Sequence, residues 1–216
     1  RRGSEATLVI DHQTKLDLAT ALPGEFNIYN MVAAASTAYL LGVNVDDIIE
    51  GIANLEGVPG RFERVPTGRD FDVFVDYAHT PDALQKFLEA AKAITKNRVI
   101  LVFGATGDRD KGKRPIMGEI ASRFADRILL TDEESYNEDP AAIRNQVMGG
   151  IESAGGSAKT TEIADRHEAI KKALGIATKG DVVVITGMGH EKFRIINGKR
   201  LPWNDADVVR EILDIK

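Results

Sequence analysis

Arg98–Arg114 reads RVILVFGATGDRDKGKR. Its first part, Val99 to Phe103, is wholly apolar and has the composition of a strand buried on both faces. It then breaks into a loop that carries Gly104, Gly107 and Gly112, the cations Arg109, Lys111, Lys113 and Arg114, and the acids Asp108 and Asp110. After Pro115 the pattern turns helical. Strand, glycine loop and helix in that order bring backbone N–H groups and a helix N-terminus towards an anion. The turns downstream of Arg61 are read here as polar surfaces assembled around this loop.

The same alternation extends outward in both directions. Phe71–Asp76 (FDVFVD) reads as a strand, and Thr80 caps a helix from Pro81 to about Ala93. A second helix follows over Arg114–Phe124, then a strand at Asp126–Thr131 and a helix from Asp139-Pro140 to about Ser153. A weaker strand covers Ala158–Ile163. Asp165 caps the next helix, whose Ala169, Ile170, Ala173 and Leu174 share one face. Asp181–Thr186 (DVVVIT) is a strand, Phe193–Leu201 a small hairpin turning at Asn197-Gly198, and Ala206–Leu213 the closing helix. Apolar strands alternating with helices predict a mostly parallel, doubly wound, Rossmann-like α/β sheet covered on both sides.

Before Gly60 the pattern differs. Ala6–Asp11 and Lys15–Ala19 read as short strands, Phe26–Leu41 as an Ala/Leu-rich helix stopped by Gly42, and Asp46–Asn54 as a shorter helix. Gly57, Pro59 and Gly60 mark a boundary, giving segments 1–60 and 61–216. Two strands and two helices are too little for an independent core, so the first segment is expected to be the tail of a larger domain. The chain also opens without Met, in the strand-like TLVI, as a fragment would.

Bulk properties exclude several classes. The 216 residues are 43% hydrophobic and 28% charged, with net charge −5 and no cysteine. That is ordinary for a globular protein and argues against a coat for nucleic acid or for an anionic membrane. Without cysteine there is no disulfide and no thiolate metal site. No apolar run reaches the roughly 20 residues of a membrane span, and no signal peptide is visible. A cytoplasmic protein is expected.

Ligands of parallel sheets sit beyond the carboxyl ends of the strands. Four turns lie there: Asp76–Pro81 (DYAHTP), the glycine loop, Asp132–Tyr136 (DEESY) and Gly187–Glu191 (GMGHE). All are polar or glycine-rich. The loop GATGDRD, with Asp132 ending the next strand, has roughly the spacing of a nicotinamide dinucleotide cradle. The third fingerprint glycine is missing, however, and such a cradle does not need this density of side-chain charge. A solvated charged turn is the plain alternative. His79 and Asp76 could be local hydrogen-bonding residues, whereas His190 between Gly189 and Glu191 is hard to explain by packing. His12 and His167 read as surface residues. Asn27 and Asn30 share a face on the first turn of their helix, and Asn is a poor helix-interior residue, so together they suggest a polar surface towards a cleft. Arg61 and Glu63 flank the boundary, where Arg61 either meets a nucleotide or forms a surface ion pair. No His, Asp and Glu set has metal-ligand spacing, and no nucleophile elbow occurs.

Taken in order, PGEFNIYN, GRFE, DYAHTPDAL, FGATGDRDKGKRPIMGEIA, TDEES and GMGHE resemble the Mur ligases. Within that family they are most similar to the branch that adds the third amino acid of the peptidoglycan stem to UDP-N-acetylmuramoyl-dipeptide. The resemblance runs from about Leu22 to the end. It implies that segment 1–60 is the tail of a central ATPase domain and segment 61–216 a C-terminal Rossmann-like domain. It implies ATP and Mg2+ as cofactors of the complete enzyme, a UDP-N-acetylmuramoyl-dipeptide and a free amino acid as substrates, and a monomer. The family reaction forms an acyl phosphate that the incoming amine attacks. Catalysis there is mainly positioning and charge neutralisation.

The roles implied by the resemblance are these. Arg61, Asp76 and His79 face the nucleotide, with Asn27 and Asn30 on its other side. Arg109 grips the amino acid's carboxylate, Lys113 meets phosphate charge with His79 beside the chemistry, and Gly187 and Glu191 contact the amino acid. Asp132, Glu133 and Ser135 belong to the same substrate surface. Two departures stand out. Diaminopimelate-adding members carry Asp-Asn-Pro-Arg where this chain has Asp132, Glu133, Glu134 and Ser135, and Met188 replaces a lysine. Two glutamates would repel a distal carboxylate and attract an ammonium, so lysine, ornithine or another cationic acceptor is expected. No G-x-x-x-x-G-K run followed by Ser or Thr occurs in the chain. The competing readings are a folylpolyglutamate- or cyanophycin-synthetase-like ligase, and a binding-only fragment that turns nothing over.

Overall fold

The computed structural model describes residues 3–196 and 198–215. They form two compact units, Arg1–Val58 and Pro59–Lys216, dividing close to the boundary expected at Gly60. No helix among the described residues is long and apolar enough to cross a membrane.

The first unit is an antiparallel hairpin, β1 (Ser4–Ile10) with β2 (Thr14–Thr20), and two helices, α1 (Glu25–Leu40) and α2 (Val45–Ala53). Alternation along β2 points Leu16 and Leu18 inward, where they meet Met31, Ala35 and Ile48. That core is small. Tyr29, Leu40 and Leu41 remain 70%, 82% and 79% exposed, as expected of helices that cover only a hairpin.

The second unit holds β3 (Glu63–Val65), β4 (Asp72–Asp76), α3 (Pro81–Ile94), β5 (Val99–Phe103), α4 (Lys113–Phe124), β6 (Arg127–Leu130), α5 (Pro140–Ser153), β7 (Thr160–Glu162), α6 (Arg166–Ile176), β8 (Val182–Thr186), β9 (Phe193–Ile196), β10 (Lys199–Pro202) and α7 (Asp205–Ile212). Its main sheet runs β3-β4-β8-β5-β6-β7. All neighbours are parallel except β3, which pairs antiparallel with β4. The apolar runs FDVFVD, RVILVF, DRILL and DVVVIT thus become adjacent central strands, and Val99–Phe103 is buried throughout. β3, only three residues with a charged Glu-Arg start, lies outside the sequence expectation. The β9–β10 ribbon is antiparallel. The expected turn residue Asn197 lies outside the described residues.

Alternation splits the strand side chains between two faces. Val73, Val75, Ile100, Val102, Leu129, Val183 and Ile185 pack with Ala169, Ile170 and Ala173 of α6 and Val208 and Val209 of α7. On the opposite face α3, α4 and α5 lie side by side, and Phe62 stacks on Phe74 and Phe87 at 4.6 and 5.0 Å. Side-chain caps fix three helix starts: Thr80 accepts from Ala83 N–H, Asp139 from Ala141 N–H and Asp165 from Glu168 N–H. Each such cap is worth about 1 kcal/mol. Strand β8 inserted between β4 and β5 places the ends of these three strands together. This is the switch point of an open parallel sheet.

Candidate functional site

A cleft of about 690 Å³ opens at that switch point. It is lined by all four expected turns. Tyr77, His79 and Thr80 come from the β4 turn, Thr106, Arg109 and Lys113 from the glycine loop, Glu134 and Tyr136 from the β6 turn, and Gly187, Met188 and Glu191 from the β8 turn.

Four N–H groups of the glycine loop are already bonded within the fold. Gly104 N–H donates to Glu133 at 3.2 Å, Gly107 N–H to the Glu134 carbonyl at 2.7 Å, Asp108 N–H to Glu138 at 2.7 Å and Gly112 N–H to Asp110 at 2.8 Å. With those donors occupied, the three glycine N–H groups are not free to cradle a phosphate, although Gly107, Gly112 and Lys113 have the P-loop spacing. Glycine serves close packing instead. A Cβ on Gly104 would stand 2.2 Å from the Thr131 carbonyl oxygen, and one on Gly107 2.0 Å from that of Ser135.

The loop's charge reaches the cleft through side chains. Arg109 is exposed, donates among the described residues only to the Asp108 carbonyl at 3.1 Å and lies over the Tyr136 ring at 5.1 Å. Lys113 begins α4 and donates to the His79 carbonyl at 2.8 Å. Burial lowers the Lys113 pKa from the usual lysine range, partly countered by Glu133 and Asp110. His79 Nδ1 donates to the Tyr77 carbonyl at 2.9 Å, which leaves Nε2 as the acceptor. Its ring packs on Tyr77 at 4.7 Å, with Arg61 over the other partner's ring at 5.7 Å.

Three carboxylates line the same cleft, Asp110, Glu134 and Glu191, and Asp110 accepts from Gly112 N–H. Glu134 accepts from the Tyr136 hydroxyl at 3.1 Å and from Ile195 N–H at 3.1 Å. Among the described residues neither Glu134 nor Glu191 has an ion-pair partner. Both raise the Tyr136 phenol, after burial, and both raise Tyr77.

Several expected site residues are placed inside the fold. Asp76 is 6% exposed, and its two oxygens accept from Phe62 N–H at 2.7 Å and Ala78 N–H at 2.8 Å. It latches the entry segment to the β4 turn and does not face the cleft. Burial raises its pKa against those bonds and Arg61. Glu133 is 3% exposed and accepts from Gly104 N–H and the Thr106 hydroxyl. Asp132 pairs with Arg144, and Ser135 is buried. Of the DEES run only Glu134 lines the cleft, so the expectation of two glutamates there is corrected to one. Gly187, at φ +105, approaches Glu133 so closely that a Cβ would lie 2.0 Å from Oε1. Glu63 pairs with Arg210 rather than Arg61. His190 is exposed, its ring 5.3 Å from Tyr77. Asn27 and Asn30 belong to the first unit. Asn27 donates to the Pro23 carbonyl at 2.8 Å and accepts from Asn30 at 3.3 Å, a network that ties down the start of α1.

Sequence reasoning passed over the supports behind the turns. Arg166 is fully buried and grips Asp205 through two bonds of 2.8 and 2.7 Å while donating to the Thr186 carbonyl, just before GMGHE. Arg114 is likewise fully buried and bound to Glu138. One signal was present: both arginines sit in the first turn of a helix, where a cation opposes the helix dipole and therefore needs a partner.

Comparison with known proteins agrees with this geometry. Residues 60–189 match the family model described as Mur ligase, glutamate ligase domain. A UDP-N-acetylmuramoyl-L-alanyl-D-glutamate–2,6-diaminopimelate ligase of Caldanaerobacter subterraneus subsp. tengcongensis is 44% identical over 199 residues, covering 92% of this chain and 41% of the relative. Its counterpart from Syntrophomonas wolfei is 44% identical over 192 residues, covering 89% and 39%. A solved structure of a ligase with that name superposes with a TM-score of 0.71 at 38% identity, covering 99% of this chain and 43% of the other. The chain thus spans about two fifths of the length of these relatives.

Proposed function

The chain belongs to the Mur ligase family, and from that premise we propose that it is part of an ATP-dependent amide ligase adding an amino acid to UDP-N-acetylmuramoyl-dipeptide in the cytoplasm, through an acyl phosphate. One observation carries this reading. Arg109 and Lys113 are cationic, line the cleft and make no ion pair among the described residues, while Glu134 and Glu191 are anionic and equally unpaired in the same cleft. A zwitterion that places its carboxylate on Arg109 and its ammonium towards the glutamates satisfies both sets.

In this reading Arg109 orients the incoming amino acid, and Lys113 stands where negative charge gathers on the transferring phosphate. His79 Nε2, the acceptor nitrogen of the neutral ring whose Nδ1–H bonds the Tyr77 carbonyl, is placed to take a proton from the amine. Gly187 and Glu191 border the amine. Arg61, over the Tyr77 ring, fits the rim of a nucleotide site, and Asn27 and Asn30 stay candidate nucleotide contacts of the first unit by itself. Asp76 does not fit that site, because both its oxygens are occupied. ATP supplies the phosphoryl group when bound. The described residues contain no group of three His, Asp or Glu side chains able to hold an ion, so Mg2+ is assigned to no residue of this chain.

The acceptor is where the relatives' names and this cleft diverge. The relatives are named for 2,6-diaminopimelate. Here the cleft offers Asp110, Glu134 and Glu191 and, besides Arg109 and Lys113, no further Lys or Arg among its lining residues. That favours an acceptor with a side-chain ammonium and no distal carboxylate, such as lysine or ornithine. Titration of the chain with lysine, ornithine and diaminopimelate, followed by NMR, tests both points. Lysine or ornithine is expected to shift Arg109 and Glu134 signals at lower concentration than diaminopimelate. Preference for diaminopimelate would refute the acceptor, and binding of no amino acid would refute the site. A monomer that does not hydrolyse ATP by itself is expected, and turnover by this chain alone would contradict the account.

A further inference from the structure

The turn that supplies Glu134 and Tyr136 also supplies Glu138, a carboxylate with no part in the chemistry above. Glu138 Oε1 accepts from Asp108 N–H at 2.7 Å and from Arg114 at 2.9 Å, and Oε2 accepts from Arg114 at 3.0 Å. Lys111 Nζ lies 3.2 Å away. Arg114, fully buried, extends this grip to the Thr106 carbonyl at 3.0 Å and to Gln146 of α5 at 2.8 Å. One carboxylate therefore holds the glycine loop at Thr106, Asp108, Lys111 and Arg114, both before and after Arg109.

Asp108 shows what this grip holds. It adopts φ +51, which non-glycine residues seldom do unless neighbours impose it. Its carboxylate accepts from the Asn137 side chain at 2.7 Å and its N–H is held by Glu138. Arg109 follows directly and donates back to the Asp108 carbonyl. Its guanidinium lies over Tyr136, itself left-handed at φ +49, on the segment that carries Glu138. The direction of the Arg109 side chain is thus set by the backbone of the residue that Glu138 fixes.

We propose that Glu138 is a positioning residue that aims Arg109 into the cleft, acting through the Asp108 backbone and the buried Arg114. The inference rests on the reading of Arg109 as the carboxylate receptor, and the test separates the two. Lysine is titrated into the chain, Arg109→Ala, Glu138→Asp and the double variant, with melting temperature recorded for each. Asp keeps the charge beside Arg114 but withdraws the acceptor from Asp108. Glu138→Asp is expected to bind lysine about tenfold more weakly while melting close to wild type, and the double variant no more weakly than Arg109→Ala alone. Wild-type affinity in folded Glu138→Asp would overturn the inference, as would losses that simply add. If wild type and Arg109→Ala do not differ, the reading of Arg109 fails. The inference is then judged on the backbone amide relaxation of residues 108–111, which must become faster in Glu138→Asp and overturns it if unchanged. Should Glu138→Asp unfold, Arg114→Met/Glu138→Gln removes the buried arginine's charge together with that of its partly exposed partner and is read in the same two ways.

Discussion

Arg109, on the glycine loop, and Arg114, in the first turn of α4, stand five positions apart and have opposite circumstances. Arg114 is fully buried, with its guanidinium occupied by Glu138, Gln146 and the Thr106 carbonyl. Arg109 is exposed and, among the described residues, held only by a ring face and its neighbour's carbonyl. The same split divides Glu133, buried under Gly104 and Gly187, from Glu134, which lines the cleft. Charged residues here form a brace and a receptor. What distinguishes them is whether the side chain is enclosed by the fold or faces the cleft. Brace residues should govern stability, and affinity only where, like Glu138, they hold a receptor residue in place; receptor residues should govern affinity alone.

The largest expected effect breaks the brace. Asp205→Ala strands the fully buried Arg166 and should destabilise the chain by about 3–5 kcal/mol, read by urea denaturation. A loss under 1 kcal/mol would mean that Arg166 finds another partner. Next, Gly107→Ala places a methyl 2.0 Å from the Ser135 carbonyl oxygen and should cost about 1–3 kcal/mol. An unchanged melting curve would show that the loop and the β6 turn separate freely.

A smaller effect sharpens the contrast through pH. Arg114, with help from the Asp108 N–H and Lys111, holds the Glu138 pKa at about 2. A lowered carboxyl pKa contributes stability above the unfolded value of about 4.5, lost as pH falls towards 2. Burial raises Glu133, so its contribution has the opposite sign: full at acid pH, it is lost as pH rises above 4.5 through the folded value. Glu138→Gln should therefore flatten the acid limb of a stability–pH curve, and Glu133→Gln should flatten the fall on its alkaline side. The same slope change from both variants would remove the distinction between them.

The sheet was legible because buried parallel strands are apolar from end to end, and the four strand-end turns followed from that pattern. The short β3 was not, since Glu63-Arg64-Val65 carries no periodicity and forms by pairing with β4. The site was legible as a set of turns but not as a division of labour. Nothing local marks Glu133 as buried and Glu134 as cleft-lining, because the difference comes from Gly104 and Gly187, distant in sequence, closing over the former. Asp76 misled for the same reason. A strand-end acid beside a histidine looks catalytic until Phe62 and Ala78 are seen to occupy both its oxygens.

Calorimetric titration of lysine into wild type and Arg109→Ala, with melting curves for both, tests the central claim most directly. The account predicts at least a tenfold loss of affinity with the melting temperature unchanged, because Arg109 belongs to the receptor and not to the brace. Equal affinity in the two proteins, or a loss that appears only with a matching loss of stability, would contradict it.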